Sequence, residues 1–307
     1  MKKITAFAPA TVANMICGYD ILGCAVDGIG DEVSVWLNGS PENKFELQSH
    51  QPELLQLPPE KNVAFAMVKM LQDAAGHRQG ITVSLKKNMP LNSGMGSSSA
   101  STAAALVATN ALLGQPFTTR QLLDFAIEGE RLACGHAHAD NVAPALMGGI
   151  VLIKSNDPLE VVSLPVPEHW HVALLHPEVD VPTRLARQIL KQHIPLKTAV
   201  QQTGYLAGFI AGLYRRDDDL VKSSLHDVMV TPHRAALIPC FYEMREKALQ
   251  QQALGFGISG SGPSVFALCT SEQQASSILL QLKDILANHR VSCSGLTSAI
   301  GQGARLI

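Results

Sequence analysis

This 307-residue chain has no block of Lys or Arg, and its formal net charge is only -2. Surfaces for nucleic acid or anionic membrane usually carry such a block, so neither partner is expected. None of the six cysteines (Cys17, Cys24, Cys134, Cys240, Cys269, Cys293) forms a C-x-x-C pair. That excludes the familiar zinc-ribbon and thioredoxin spacings. Scattered thiols in a chain of this length read as reduced and mostly buried, which points to the cytoplasm. No apolar run approaches the roughly 18 residues of a membrane span. The start resembles a signal peptide only superficially, because Pro9, Thr11 and Asn14 interrupt any apolar stretch. Repeats, low-complexity tracts and Pro/Gly linkers are missing too. What remains is the profile of a folded globular chain, 46% hydrophobic and 16% charged. Its length suits one large domain or two joined ones.

Periodicity divides the chain into a strand-rich beginning and a more helical remainder. Ile4–Ala8, Leu22–Val26 and Glu32–Leu37 read as strands broken at Gly28 and Gly30, and 80–86 alternates like a half-buried strand. Asn62 predicts the cap of a helix reaching about Ala75. Ser97–Leu113 predicts a second helix closed by Gly114, and Thr118 with Gln121 makes a capping box for a third, to about Ala133. Strands are expected at 149–154 and 171–176, and helices at 183–192, 197–214, 218–229 and 233–253. Short strands at 255–259 and 264–269 flank a glycine-rich turn, and Ser271 with Gln274 opens a last long helix. Strand runs followed by helix runs indicate an α+β architecture.

The most informative segment is Pro90-Leu91-Asn92-Ser93-Gly94-Met95-Gly96-Ser97-Ser98-Ser99-Ala100, between a strand and a helix. Gly94 and Gly96 permit positive φ and close approach of the backbone. The first N–H groups of the following helix lack intrahelical partners and sit at the positive end of its dipole, which suits phosphate. It is not a Walker A loop, because the required Gly-Lys dipeptide occurs nowhere in the chain. Taken alone, a strand–turn–helix junction with ordinary capping serines explains it equally well.

Its pattern nevertheless resembles the central motif of the GHMP kinases, Pro-x3-Gly-Leu-Gly-Ser-Ser-Ala, with Met95 in place of Leu. Two further motifs of that family occur in the right order along the chain. Ala8-Pro9-Ala10-Thr11-Val12-Ala13-Asn14, continued by Gly18 to Gly23, is similar to the N-terminal one. Gly257-Ile258-Ser259-Gly260-Ser261-Gly262-Pro263 is similar to the C-terminal one. The N-terminal motif and the run His138-Ala139-Asp140-Asn141 look most like the homoserine kinase branch. The chain departs from the pattern at Ile16-Cys17, where Gly-Pro is usual, and at Asn92, where Gly is common.

The resemblance implies a two-lobed GHMP kinase fold, with an N-terminal lobe over 1–155 carrying the phosphate loop and a ferredoxin-like C-terminal lobe over 156–307. It implies MgATP as phosphoryl donor, L-homoserine as acceptor and a homodimer. Pro90–Ala100 would hold the ATP phosphates, with Ser98 and Glu130 as Mg2+ ligands and Asn62 and Lys87 as further nucleotide contacts. Asn14, Asp20, His138, Thr183, Arg187, Arg234 and Gly260 would bind the substrate, the two guanidiniums suiting its carboxylate. Asp140 would be a catalytic carboxylate beside Glu130, either taking the hydroxyl proton or orienting its neighbours.

Blander readings stand beside these. Glu130 reads equally as a solvated helix carboxylate next to Arg131, the arginines as surface ion-pair partners, and Asp140 as the cap of a helix starting at Asn141. The run His136-Ala137-His138-Ala139-Asp140 is a weak match to H-x-H-x-D-H metal sites, since Asn141 replaces the last His. Other GHMP kinases, acting on mevalonate-type alcohols, sugars or cytidyl-erythritol, and a non-catalytic binding protein are the competing functions. Two arginines with Asn14 and Asp20 favour a zwitterionic amino acid, and the intact loop with Glu130 favours turnover.

Overall fold

The computed structural model describes residues 2–51, 55, 56, 58–134 and 139–307, without the side chains of 132–134. Its strands in chain order are β1 (Ile4–Ala13), β2 (Leu22–Leu37), β3 (Lys44–Ser49), β4 (Ile81–Lys87), β5 (Ile150–Asn156) and β6 (Leu159–Leu164). They continue with β7 (His171–Pro177), β8 (Gly255–Ile258), β9 (Val265–Cys269), β10 (Cys293–Ala299) and β11 (Arg305–Leu306). Among the described residues these form two sheets. The first runs β11-β1-β2-β4-β3, with the β5–β6 hairpin attached to β2, and the second runs β10-β7-β9-β8.

β2 is the spine of the first sheet. Its first residues pair with β1 and β5, and its last with β1 and β4. The expected break at Gly28 and Gly30 is a bend instead, for the β1–β2 register shifts between Pro9 and Ala10 and pairing then resumes. A Cβ on Gly30 would meet the Ala8 carbonyl oxygen at 2.1 Å, so glycine permits the close crossing at that bend. The expected division at residue 155 falls inside β5, and strands on both sides of it belong to the first sheet. β6, β10 and β11 carry too little apolar alternation to stand out in the sequence, and β3 alternates only over the short run 44–48. Their pairing partners make them strands.

Against the first sheet pack α1 (Val63–Ala74), α2 (Ser97–Leu112) and α4 (Ala139–Met147), and α3 (Thr119–Cys134) packs on these helices. α2 lies at the centre, and its small residues Ala100, Ala103, Ala104, Ala105 and Ala108 are fully buried. A helix buried nearly all round has neighbours on every side, so its N-terminus is rigidly placed. α5 (Thr183–Gln188), α6 (Leu196–Arg215), α7 (Asp218–Ser224), α8 (Thr231–Arg234), α9 (Phe241–Gln250) and α10 (Glu272–Asn288) complete the helices.

The second sheet uses both faces. Val172, Leu174, Phe266 and Leu268 join Phe209 and Leu213 of α6 in the large core. The alternate residues Ala173, Leu175, Val265 and Ala267 pack with Phe241 of α9 and Leu282 of α10 in a second core.

The long helix expected over 233–253 is interrupted. Ile238, ahead of Pro239, is extended (φ -115°, ψ 120°), as the clash with a following proline ring requires. The helix expected over 218–229 stops at Ser224, because the Asp227 carboxylate gathers the next amides into a separate turn.

Candidate active site

The loop at 90–100 ends at the N-terminus of α2, with Gly94 (φ 76°) and Gly96 (φ 69°) both left-handed. A Cβ on Gly94 would meet the carbonyl oxygens of Ser259 at 2.4 Å and Gly262 at 2.8 Å, and one on Gly96 would meet Thr11 Oγ1 at 2.0 Å. Other parts of the chain therefore press on the loop and hold its shape. Ser259 Oγ donates to the Gly94 carbonyl (2.7 Å), Thr11 N–H to the Met95 carbonyl (2.9 Å) and Ser264 N–H to the Ser93 carbonyl (3.2 Å). Thr11 Oγ1 donates to Asn141 Oδ1 (2.8 Å), linking the loop's neighbour to α4. The three sequence motifs thus converge on one place. Ala100 N–H already bonds back to the Gly96 carbonyl (2.9 Å). The amides before it, at the head of a rigid helix, lack intrahelical partners and have the geometry that suits an anion.

Lys87 lies beneath the loop. Its ammonium pairs with Asp31 and donates to the Ser97 carbonyl (2.5 Å) and Ser101 Oγ (2.9 Å), which occupies its three donors. Burial pushes the Lys87 pKa down, and the Asp31 charge beside it opposes that shift. Asp31 also accepts from Ser101 Oγ (2.6 Å) and the amides of Asn88 (3.0 Å) and Met89 (3.2 Å). The pair ties the loop's entry at 88–89 to its exit at 97–101. In this arrangement the Lys87 ammonium supports the loop. Asn62 caps α1 through the Ala64 amide (3.0 Å), as its sequence position predicts.

Glu130 is 4% exposed, and Arg131 beside it turns outward to Glu128. The solvated reading of Glu130 therefore does not describe this structure. Gly129 permits the close crossing of α3 on α2, since a Cβ there would meet Thr102 at 2.9 Å and Met67 at 3.0 Å. The crossing brings Glu130 Oε1 to the hydroxyls of Ser99 (2.5 Å) and Ser98 (3.2 Å). Ser99 is buried and Ser98 partly exposed, so Ser98 is the hydroxyl facing outward.

Asp140, in the first turn of α4, is 3% exposed, and its Oδ1 has no hydrogen-bond partner among the described residues. Burial pushes its carboxyl up to about 7, helped by the negative charges of Asp20 and Glu130 and opposed by Arg187. α4 comes close because Gly23 of β2 has no side chain, a Cβ there falling 1.8 Å from the Asp140 carbonyl oxygen.

A narrow cleft is lined in part by Asn14, Tyr19, Thr231, Arg234 and Gly260. Asn14 Nδ2 and Arg234 Nη1 both donate to the Gly260 carbonyl (2.9 and 3.0 Å), while Arg234 Nε donates to the Ala186 carbonyl (2.8 Å). Arg234 also lies over the Tyr19 ring, 5.3 Å from its centre. Arg187 Nη2 reaches Asp20 Oδ1 (3.3 Å), and Thr183 Oγ1 lies 3.3 Å from Ser261 Oγ. Asn14, Met15, Ile16 and Asp20 all have positive φ, so the departure at Ile16 from the usual Gly is accommodated with a β-branched residue in left-handed backbone. A larger cavity of about 410 Å3 opens elsewhere, beside Leu225, His226, Arg245 and Phe256, and no loop or cleft residue lines it.

His138 lies outside the described residues, as does His136. Of the other expected residues, Lys87 lies beneath the loop, Glu130 meets its serines, and Asn14, Arg234 and Gly260 line the cleft. Asp20 pairs with Arg187, Thr183 lies by Ser261, Asp140 is buried in α4 and Asn62 caps α1. Sequence reasoning missed Asp31, Ser101, Ser259 and Asp227 as supports. Asp227 accepts from the amides of Met229 (2.9 Å), Val230 (2.9 Å) and Thr231 (2.6 Å), building the turn that presents Arg234. An acid ahead of Thr-Pro in 227–232 was its available signal.

Known proteins resemble this chain along its whole length. The family model for the GHMP kinases N terminal domain matches residues 62–149, and that for GHMP kinases C terminal matches 209–288. A homoserine kinase of Chlorobium phaeobacteroides is 46% identical over 291 residues, covering 91% of this chain and 90% of that protein. One from Chlorobaculum tepidum is 42% identical, covering 100% and 99%. The crystal structure of homoserine kinase from Cytophaga hutchinsonii superposes with a TM-score of 0.94 at 45% identity, covering 100% of this chain and 98% of that one. With two family domains in order and such identity along nearly its whole length, the chain belongs to the homoserine kinase family of the GHMP kinases.

Proposed function

We propose that the chain transfers the γ-phosphate of ATP to the side-chain hydroxyl of L-homoserine, giving O-phospho-L-homoserine and ADP. The observation that supports this reading is the buried Asp140 carboxyl, within electrostatic reach of Glu130, which holds the loop serines, and of the Asp20–Arg187 pair. Phosphoryl transfer depends mainly on positioning and charge neutralisation, and this arrangement sets an acceptor cleft next to a phosphate-binding helix end.

In this reading the amides and hydroxyls of 94–99 hold the phosphates. Ser98 and Glu130 fit a hard divalent cation, since both offer oxygen and already lie together at 3.2 Å. Mg2+ held there supplies positive charge against the phosphate oxygens. Arg187 and Arg234 take the substrate carboxylate, and Asp20 with Asn14 takes its ammonium end. A carboxyl pushed up to about 7 is matched to accepting a hydroxyl proton near neutral pH, which suits Asp140 to that step. The compartment this reading assigns is the cytoplasm, consistent with the free thiols at Cys17, Cys24 and Cys269.

The test is ADP release with MgATP against L-homoserine, mevalonate, galactose and L-serine. Turnover with homoserine alone is expected. Preference for another alcohol would remove the zwitterion site, and no ADP from any acceptor by folded protein would remove the kinase reading.

A further inference from the structure

Cys240, Glu243 and His289 form a cluster that includes no residue of the motifs used above. Cys240 precedes α9 in left-handed backbone (φ 55°), Glu243 lies in the first turn of that helix, and His289 follows the last residue of α10. One potential ligand atom from each lies within 4.8 Å of the other two, and His289 Nε2 is 3.2 Å from Glu243 Oε2. The three side chains are partly to fully accessible. Behind them both helices are fixed by the second core, where Phe241, Met244, Ile285 and Leu286 are buried.

From this geometry we propose that Cys240, Glu243 and His289 form a surface site for a borderline-soft divalent cation, with Zn2+ as its natural occupant. A thiolate, an imidazole and a carboxylate are the donor set of open zinc sites, and metal bonds of about 2.0–2.3 Å need donors about 3.3–3.8 Å apart. The His–Glu separation of 3.2 Å falls just short of that spacing and needs only a small side-chain adjustment. Exposed rotamers can bring in the sulfur without moving either helix. Thiolate in the set selects against Mg2+ and Ca2+, so the site does not compete with a cation bound at Glu130. Binding displaces the Cys240 proton to solvent, leaves His289 neutral and keeps a water as fourth ligand. The cation would clip the start of α9 to the end of α10 and so stabilise the second core.

The test uses the full chain after chelator treatment and dialysis, with Co2+ and then Zn2+ added alone. One equivalent of Co2+ should give a thiolate-to-cobalt charge-transfer band that Zn2+ bleaches, and Zn2+ should raise the melting temperature. Cys240→Ser should abolish the band, His289→Ala should weaken Zn2+ binding at least tenfold, and Cys293→Ser should change neither. Serine differs from cysteine only in oxygen for sulfur, so Cys240→Ser is expected to fold, and its unliganded melting temperature checks this. A wild-type protein with no such band, or a band that survives in Cys240→Ser, would overturn the proposal.

Discussion

Lys87 is the residue whose structural position most changes its interpretation, and substituting it tests the change. In Lys87→Met the carboxylate of Asp31 stays buried without its cation, keeping only Ser101 and two backbone amides. Breaking a buried pair by removing one partner typically costs about 3–5 kcal/mol. Asp31→Asn alone leaves a buried ammonium short of its counter-charge and should cost a similar amount. The double variant carries no uncompensated charge, so it should lose about 2 kcal/mol less than the sum of the two. Denaturant unfolding of all four proteins, with KM for ATP measured in parallel, supplies the cycle. Both single variants should raise that KM, because the pair joins residues 88–89 to 97–101, and the double variant should recover part of it. The reasoning fails if Lys87→Met changes stability by less than about 0.5 kcal/mol while raising KM for ATP. That outcome would return Lys87 to direct contact with the nucleotide.

Three further outcomes follow from the same geometry. Asp140 has a folded-state pKa of about 7, above the unfolded carboxylate value of about 3.9, so its contribution to stability is full at low pH and is lost as pH rises towards 7. With chelator present, Asp140→Asn should therefore melt higher than wild type at pH 8 by the equivalent of a few kcal/mol, and the gain should vanish near pH 4. A gain independent of pH would refute the ionisation argument. Gly94→Ala places a Cβ 2.4 Å from a backbone oxygen at φ 76° and should weaken ATP binding severely. Gly114→Ala, with φ 84° but no atom within 4 Å, should cost only about 1–2 kcal/mol of strain and leave KM unchanged. Equal effects in ligand titration would show that contact at Gly94 is unimportant. Arg187→Leu should raise KM for homoserine by roughly tenfold to a hundredfold, as loss of a charged hydrogen bond predicts, with little change in melting temperature. Arg234→Leu should lower both affinity and melting temperature, because Arg234 also holds the carbonyls of Ala186 and Gly260. An affinity loss for ATP as large as that for homoserine would count against both carboxylate roles.

Local sequence decided what local physics controls. Asn62, the Thr118–Gln121 box and Ser271 cap helices because a side chain reaches an amide two or three residues away. Gly94 and Gly96 marked the loop because left-handed backbone is cheap only for glycine. The order of the three motifs was legible, and with it the family. Tertiary structure decided everything that depends on residues distant in sequence. Burial of Glu130 follows from how α3 crosses α2 at Gly129, and the pairing of Lys87 follows from Asp31 lying beside it across a sheet. Whether Gly28 and Gly30 end a strand or bend one depends on the neighbouring strand, here β1. The same holds for Cys240 and His289, which chain spacing gives no reason to associate and two packed helices bring together. Caps and turns close over a few residues, so sequence carries them. Charge pairing and burial depend on which surfaces meet, and only the assembled core sets that.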